Sequence, residues 1–305
     1  MMKLLRAFAS SLGLVGATLV VVGVSPVSAE PTWHDPVEVG GNFLGISCPG
    51  RDFCVAVTGD GKAFIYRDGV WNAPTTIDEG EHLDGISCSS REFCMAVDED
   101  GRAALYDGAS WSDPAVIEGA AWLKSVSCVS PTFCVAVDDA GNAFSFDGSS
   151  WGAPVLVGEL LVTVSCVSET FCMTVDSGTP SHVFDGAVWR SAGMTGNKED
   201  TSVSCPTRRI CVGVGRYAYA NVFREGAWGK AEQIEHRGGG LTSVSCPKRR
   251  FCVTVDASGY AQRWDGSGWL GREAIDRGYV NYVSCASARF CMVVNSGGQA
   301  VVFSE

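Results

Sequence analysis

The 305-residue chain has no stretch of sustained helical periodicity, and no capping residue leads into an amphipathic run. Helical bundles and alternating α/β architectures are therefore excluded. After Leu12–Val24 there is no further long apolar run. A spanning helix needs about 20 apolar residues, so no membrane span is expected in the rest of the chain. Positive charge is not in excess: 23 Lys and Arg stand against 34 Asp and Glu, a formal net charge of −11. An acidic surface repels phosphate backbones, which argues against nucleic acid as a partner. No His-Glu-x-x-His pair occurs and no cysteine is left over to serve as a nucleophile, so no catalytic residue is assigned. No cofactor or metal is expected.

What the chain does have is a repeat. Its 14 cysteines form seven pairs, each with five residues between the members: Cys48/Cys54, Cys88/Cys94, Cys128/Cys134, Cys166/Cys172, Cys205/Cys211, Cys246/Cys252 and Cys285/Cys291. Successive first cysteines lie 40, 40, 38, 39, 41 and 39 residues apart. A period near 40 signals a repeat architecture and outranks any local reading.

Residues 1–29 read as a secretory signal peptide. Lys3 and Arg6 make a basic start, an apolar run follows, and Val27-Ser28-Ala29 supplies small residues for cleavage after Ala29. Without Lys3 and Arg6 the chain keeps 21 basic against 34 acidic residues, a formal charge of −13. The expected destination is extracellular, where paired cysteines form disulfides. Zinc is the rival reading, but its four-ligand sites do not divide fourteen thiols evenly.

Each repeat reads as four short strands. In the second these are Leu83–Cys88, Phe93–Val97, Ala103–Tyr106 and a last one from Trp111 to Ile117, with turns at Asp98-Glu99-Asp100-Gly101 and Asp107-Gly108. Four antiparallel strands in about 40 residues describe one propeller blade. Residues 30–305 are thus an all-β, seven-bladed propeller domain with one disulfide inside each blade. The last repeat stops at Phe303, short of a fourth strand, and Trp33-His34-Asp35-Pro36-Val37 matches Trp111-Ser112-Asp113-Pro114-Ala115. The N-terminal strand is expected to close the ring, which removes free sheet edges. The acidic turns Thr58-Gly59-Asp60-Gly61, Asp98-Glu99-Asp100-Gly101 and Asp138-Asp139-Ala140-Gly141 gather oxygens suited to calcium, but Asp and Gly are also what such hairpin turns need.

The unit Ser-Cys, four residues, Phe-Cys-x-Ala-Val, then Gly, Asp-Gly and Trp resembles the cysteine-paired β-propeller repeats of secreted bacterial proteins, over residues 33–303. That resemblance implies the architecture and no single activity. The Asp-Gly-x-x-Trp element is also similar, over five residues, to repeats of propeller lectins, which implies carbohydrate binding. The Ser-x-Asp-x-Gly-x-Thr-Trp order of sialidase-type propellers is absent.

Ligands seldom need sevenfold identity, so departures from the repeat are the candidates for a site. Leu44, Asp84, Lys124, Val162, Thr201, Thr242 and Asn281 hold one position, four residues before each first cysteine, and should ring the mouth of the central channel. Phe43, Trp122, Tyr217, Tyr260, Tyr279 and Tyr282 break the pattern near the same mouth, with His82 and His236 nearby. Trp122, Tyr217, Tyr260, Tyr279, Asp84 and Asn281 form the candidate ligand site, since aromatic faces stack on sugar rings and polar groups bond hydroxyls. On the opposite face, Arg208, Arg209, Lys248, Arg249 and Arg250 make a candidate basic patch for an anionic polymer. The seven repeated tryptophans are expected to pack between blades. The chain is accordingly read as a secreted, monomeric binding module whose partner is an extracellular glycan or cell-surface polymer. A glycan-active enzyme using Asp84, Glu118 and Asp200 is the second reading, and a protein-interaction scaffold the third.

Overall fold

Val-, Ile- and Phe-rich runs of six to eight residues, punctuated by glycines in the left-handed region, leave the backbone little choice but short antiparallel strands. In the computed structural model, which describes residues 30–178, 180–197, 199–234, 239–275 and 280–305, those runs build seven antiparallel sheets. Residues 1–29, and with them the expected signal peptide, lie outside the described residues. Pro31–Glu305 form one compact unit.

The innermost strands are Phe43–Gly50, Leu83–Ser90, Leu123–Ser130, Leu161–Ser168, Asp200–Thr207, Leu241–Lys248 and Val280–Ser287. Each pairs with a six-residue second strand, such as Phe93–Asp98 or Phe290–Asn295, that is almost entirely buried. A strand sandwiched on both faces must be apolar throughout, which is why Phe-Cys-Met-Ala-Val does not alternate. Third strands such as Arg102–Tyr106 follow, and short fourth strands finish each blade, from the two residues of Ala115–Val116 to the five of Trp189–Gly193.

The ring closes as the sequence predicts. Thr32–Trp33 and Val37–Glu38 pair antiparallel with Gln299–Ser304, in the register Thr32↔Ser304, Trp33↔Phe303 and Val37↔Ala300. Seven hydrophobic cores lie between successive blades, and each takes one repeated tryptophan at its edge: Trp71, Trp111, Trp151, Trp189, Trp228, Trp269 and Trp33. Trp111 also lies 5.3 Å from Tyr106, and Trp33 lies 5.1 Å from Phe303. The indole faces are spent on packing.

All seven disulfides form within blades, with the partners the spacing predicts: Cys48–Cys54, Cys88–Cys94, Cys128–Cys134, Cys166–Cys172, Cys205–Cys211, Cys246–Cys252 and Cys285–Cys291. No cysteine is free among the described residues. The paired Cα atoms sit 3.9–4.1 Å apart, directly opposed across the first two strands, as in Cys88↔Cys94. The second members, Cys54, Cys94, Cys134, Cys172, Cys211, Cys252 and Cys291, are fully buried on the apolar second strands. They are therefore core staples with no surface through which to meet a ligand, and they belong to the scaffold, not to a site. Closing a seven-residue loop in the unfolded chain is worth about 2–2.5 kcal/mol in the chain-entropy account.

The serine before each first cysteine does more than save space on a crowded inner strand. Its Oγ accepts a hydrogen bond from the backbone N–H of the first cysteine in the next blade. Cys88 donates to Ser47, Cys128 to Ser87, Cys166 to Ser127, Cys205 to Ser165, Cys246 to Ser204 and Cys285 to Ser245, at 2.9–3.0 Å. Cys48 donates to Ser284 at 2.9 Å and completes the circle. Each bond is worth about 1 kcal/mol, and together they fix how each blade is offset from the next.

Candidate functional site

The first halves of the inner strands, with Asp139, Ser177, Arg216 and Ala257 of the second-to-third-strand turns, surround a channel of about 830 Å³. Leu44, Asp84, Lys124, Val162, Thr201 and Thr242 line it. Asn281 occupies the corresponding place in the last blade, and its side chain lies outside the described residues, as do Tyr279 and His236. Asp139, Glu199, Asp200, Arg216 and Tyr282 add to the lining. Glu199 and Arg216 were not singled out from sequence. Their signal was available: Arg216 stands in a turn that has lost the Asp of its equivalents.

Asp84 and Lys124 make no direct ion pair within 4 Å. Trp122 stands between them. Its Nε1 donates to Asp84 Oδ2 at 2.6 Å, and Lys124 Nζ lies 3.4 Å from its ring centroid. Burial pushes the Asp84 carboxyl above its ordinary value, against the opposing influence of the Trp122 bond and the Lys124 charge. Trp122 is 37% exposed. On the far side of the mouth, Tyr217 donates its hydroxyl to Glu199 Oε1 at 3.3 Å, and Arg216 Nε lies 3.4 Å from Glu199 Oε2.

Tyr260 does not join them at the channel. It is half-buried, with the Arg272 guanidinium 3.7 Å from its ring centroid, and Arg272 in turn donates to the buried Asp256 at 2.6 Å. Phe43 is not a mouth residue at all: it is fully buried in the core between blades seven and one. His82 is exposed, 3.7 Å from Glu99.

Of the three carboxylates considered for catalysis, Asp84 and Asp200 line the channel and Glu118 does not. Asp200 is buried and accepts from Thr195 Oγ1 at 2.6 Å and from Asn197 Nδ2 at 2.8 Å, and burial raises its pKa. Glu118 is exposed on a blade connection and does not line the channel. Gly148-Ser149-Ser150-Trp151-Gly152 has the spacing of a nucleophile elbow, but it is an exposed hairpin turn whose two hydroxyls donate to Asp147. The acidic turns are likewise occupied by their own backbone. Asp98 Oδ1 accepts from the N–H groups of Asp100 and Arg102, and Asp138 Oδ1 from those of Ala140 and Asn142.

At the opposite end of the second strand, each disulfide ring encloses a two-residue hairpin tip. The flanking pairs are Gly50↔Phe53, Ser90↔Phe93, Thr207↔Ile210 and Lys248↔Phe251, so the tips are Arg51-Asp52, Arg91-Glu92, Arg208-Arg209 and Arg249-Arg250. Arg208, Arg209, Lys248, Arg249 and Arg250 are all exposed.

No protein-family model matches the chain, and no curated protein matches it. Solved structures share the fold. One, described as "YCF48 bound to D1 peptide", superposes with a TM-score of 0.73 at 14% identity and covers 90% of this chain and 97% of its own. Another, "Structure of U3-55K", gives 0.76 at 8% identity, with coverage of 89% and 98%. These likenesses show a propeller. They carry no activity across.

Proposed function

We propose that this propeller is a secreted, monomeric binding module that holds an extracellular carbohydrate at the channel mouth. The observation behind this reading is a division of labour among residues. The repeated serines, valines and tryptophans are consumed in holding blades together. The residues that differ from blade to blade, Asp84, Trp122, Lys124, Glu199, Arg216 and Tyr217, gather at one open end of the channel. A part-exposed indole flanked by hydrogen-bonding groups suits a sugar ring and its hydroxyls. Seven disulfides belong to an oxidising, extracellular setting, and no helix among the described residues is long and apolar enough to cross a membrane.

A glycan array on the chain, followed by titration, tests the reading. Trp122→Ala should abolish or strongly weaken binding with little change in melting temperature. Trp111→Ala should lower the melting temperature whatever the ligand. If Trp122→Ala binds as well as the parent chain, the carbohydrate site is not at the mouth. A peptide in place of the sugar is the second reading, favoured by the neighbouring propeller whose structure is described with a bound peptide. A peptide library panned on the same two variants separates the two.

A further inference from the structure

Adjacent hairpin tips on the disulfide face touch across the blade boundary. Arg91, the first tip residue of blade two, reaches Asp52, the second tip residue of blade one, at 3.0 Å. It also lies 3.4 Å from Asp68 on the next turn of blade one. The serine ring repeats the same blade offset around the circle. At the boundary of blades five and six, the residues in the places of Arg91 and Asp52 are Arg249 and Arg209. An attractive pair is thus replaced by two guanidiniums.

The seam between blades seven and one sets Arg51 against Arg289 in the same places, and there the chain supplies its own acid: Glu305 pairs with Arg289. At the boundary of blades five and six, no ion pair within 4 Å is made by Arg208, Arg209, Lys248, Arg249 or Arg250 among the described residues. Two acids flank them. Glu225 stands where Asp68 stands in blade one and makes no ion pair there. Asp265 feels the charge of Arg250, a minor influence beside its hydrogen bonds from Ser267 and Gly268. Four cations on two disulfide-closed tips, with Lys248 beside them and none of the five in an ion pair among the described residues, form a preorganised anion site in a chain of net charge −11.

We infer that this site binds an acidic polysaccharide, one carboxylate taking the place between Arg209 and Arg249 that the Asp52 carboxylate takes beside Arg91. Guanidinium groups hold carboxylates in a bidentate manner that a point charge cannot. The sugar backbone is favoured by what adjoins the tips. A slot of about 430 Å³ between the outer parts of blades five and six is lined by the half-buried Trp228 and Trp269, with Arg224, Lys230 and Glu232 and with the buried Trp264 at its floor. The same slot includes Ser267 and Gly268, on the turn against which the Arg250 stem lies. The parts of Trp228 and Trp269 that the cores leave uncovered, beside Arg224 and Lys230, suit a sugar ring bearing a carboxylate better than they suit an acidic peptide. This site stands apart from the channel mouth and does not depend on the carbohydrate reading there.

The experiment is calorimetric titration of the chain with polygalacturonate, with dextran as the neutral polymer and poly-glutamate as the acidic peptide. Polygalacturonate should bind in a salt-sensitive manner and dextran should not compete for the tips. Arg209→Asp should weaken polygalacturonate binding about tenfold or more. It should not lower the melting temperature, because Asp at 209 restores the pair seen at Asp52. Arg91→Ser should leave polygalacturonate binding unchanged. Failure of polygalacturonate to bind, or undiminished binding by Arg209→Asp, overturns the assignment. Binding of poly-glutamate as tight as that of polygalacturonate also overturns it, in favour of an acidic peptide. None of these results touches glycan binding at the mouth, which Trp122→Ala reads separately.

Discussion

Blades one and two and blades five and six carry the same tip on the same scaffold, and the charge at the tip is resolved in opposite ways. In the first pair, Arg91 is neutralised by Asp52 and Asp68. In the second, Arg208, Arg209, Lys248 and Arg249 are exposed and make no ion pair among the described residues. The backbone hydrogen bonds, disulfides and interblade cores are the same in both. A propeller therefore separates the residues that hold it together from those free to vary, and a tip is free because its tertiary contacts are made by backbone and disulfide.

Opening the ring is the strongest way to break the equivalence of the two regions, since only a closed ring repeats one blade offset seven times. Deleting residues 30–39 removes Trp33 and the outer strand of blade seven. Truncating a packed Trp alone costs about 3–5 kcal/mol, so melting should fall by about 10 °C or more. A melt unchanged by the deletion refutes closure.

Removing one disulfide has a smaller effect and separates rigidity from charge. Cys205→Ala with Cys211→Ala should cost about 2 kcal/mol by denaturant titration and also weaken polygalacturonate binding, because the Arg208-Arg209 tip is no longer held. Cys48→Ala with Cys54→Ala should cost about as much stability and leave that binding intact. Equal loss of binding in both would show that the basic tip has no special role.

Asp52→Arg makes blades one and two resemble five and six. Exposed ion pairs are worth about 0–1 kcal/mol, so stability should hardly change. A short galacturonate oligomer should then titrate with a second site. An unchanged stoichiometry would mean that facing guanidiniums are not sufficient.

The smallest effect lies in the Asp-Gly turns behind the tips. The Asp265 carboxyl is held down to about 2 by the Ser267 hydroxyl and by the backbone N–H groups of Ser267 and Gly268, with Arg250 adding to it. A carboxylate lowered in the folded state stabilises above its ordinary value of 3.8 and loses that contribution as pH falls toward about 2. Asp265→Ala should therefore flatten the acid limb of the melting curve between about pH 4 and about pH 2. Asp107, whose turn lies against Glu92 instead of an arginine, is lowered by its own backbone bonds alone and should contribute less there. An identical acid limb in the Asp265→Ala variant would remove this difference between the two regions.

The placement of Asp84 and Lys124 on the channel was legible, because one repeat position maps to one register of the inner strand. The link between them was not. Trp122 bridges blades two and three, and a bond between residues 38 apart follows only from how two blades sit together. Phe43 looked like an aromatic out of pattern and proved to be core, because it heads its inner strand where Leu83, Leu123 and Leu161 head theirs and packs on Phe64 and Trp71. The tip composition was plain in the sequence as a basic run. That Arg249 stands where Arg91 reaches toward Asp52 was not, because the contact joins the first tip residue of one blade to the second of the blade before.

The sequence by itself determined the strands, the seven blades, the cysteine partners and the strand that closes the ring. Each of these follows from local periodicity, turn chemistry or a spacing repeated along the chain. Only the tertiary structure decided that the motif serines form a circle of hydrogen bonds and that one pair of tips is neutralised while another makes no ion pair among the described residues. The physical reason is that these depend on the offset between neighbouring sheets, which is set by packing across about 40 residues and is written in no single repeat.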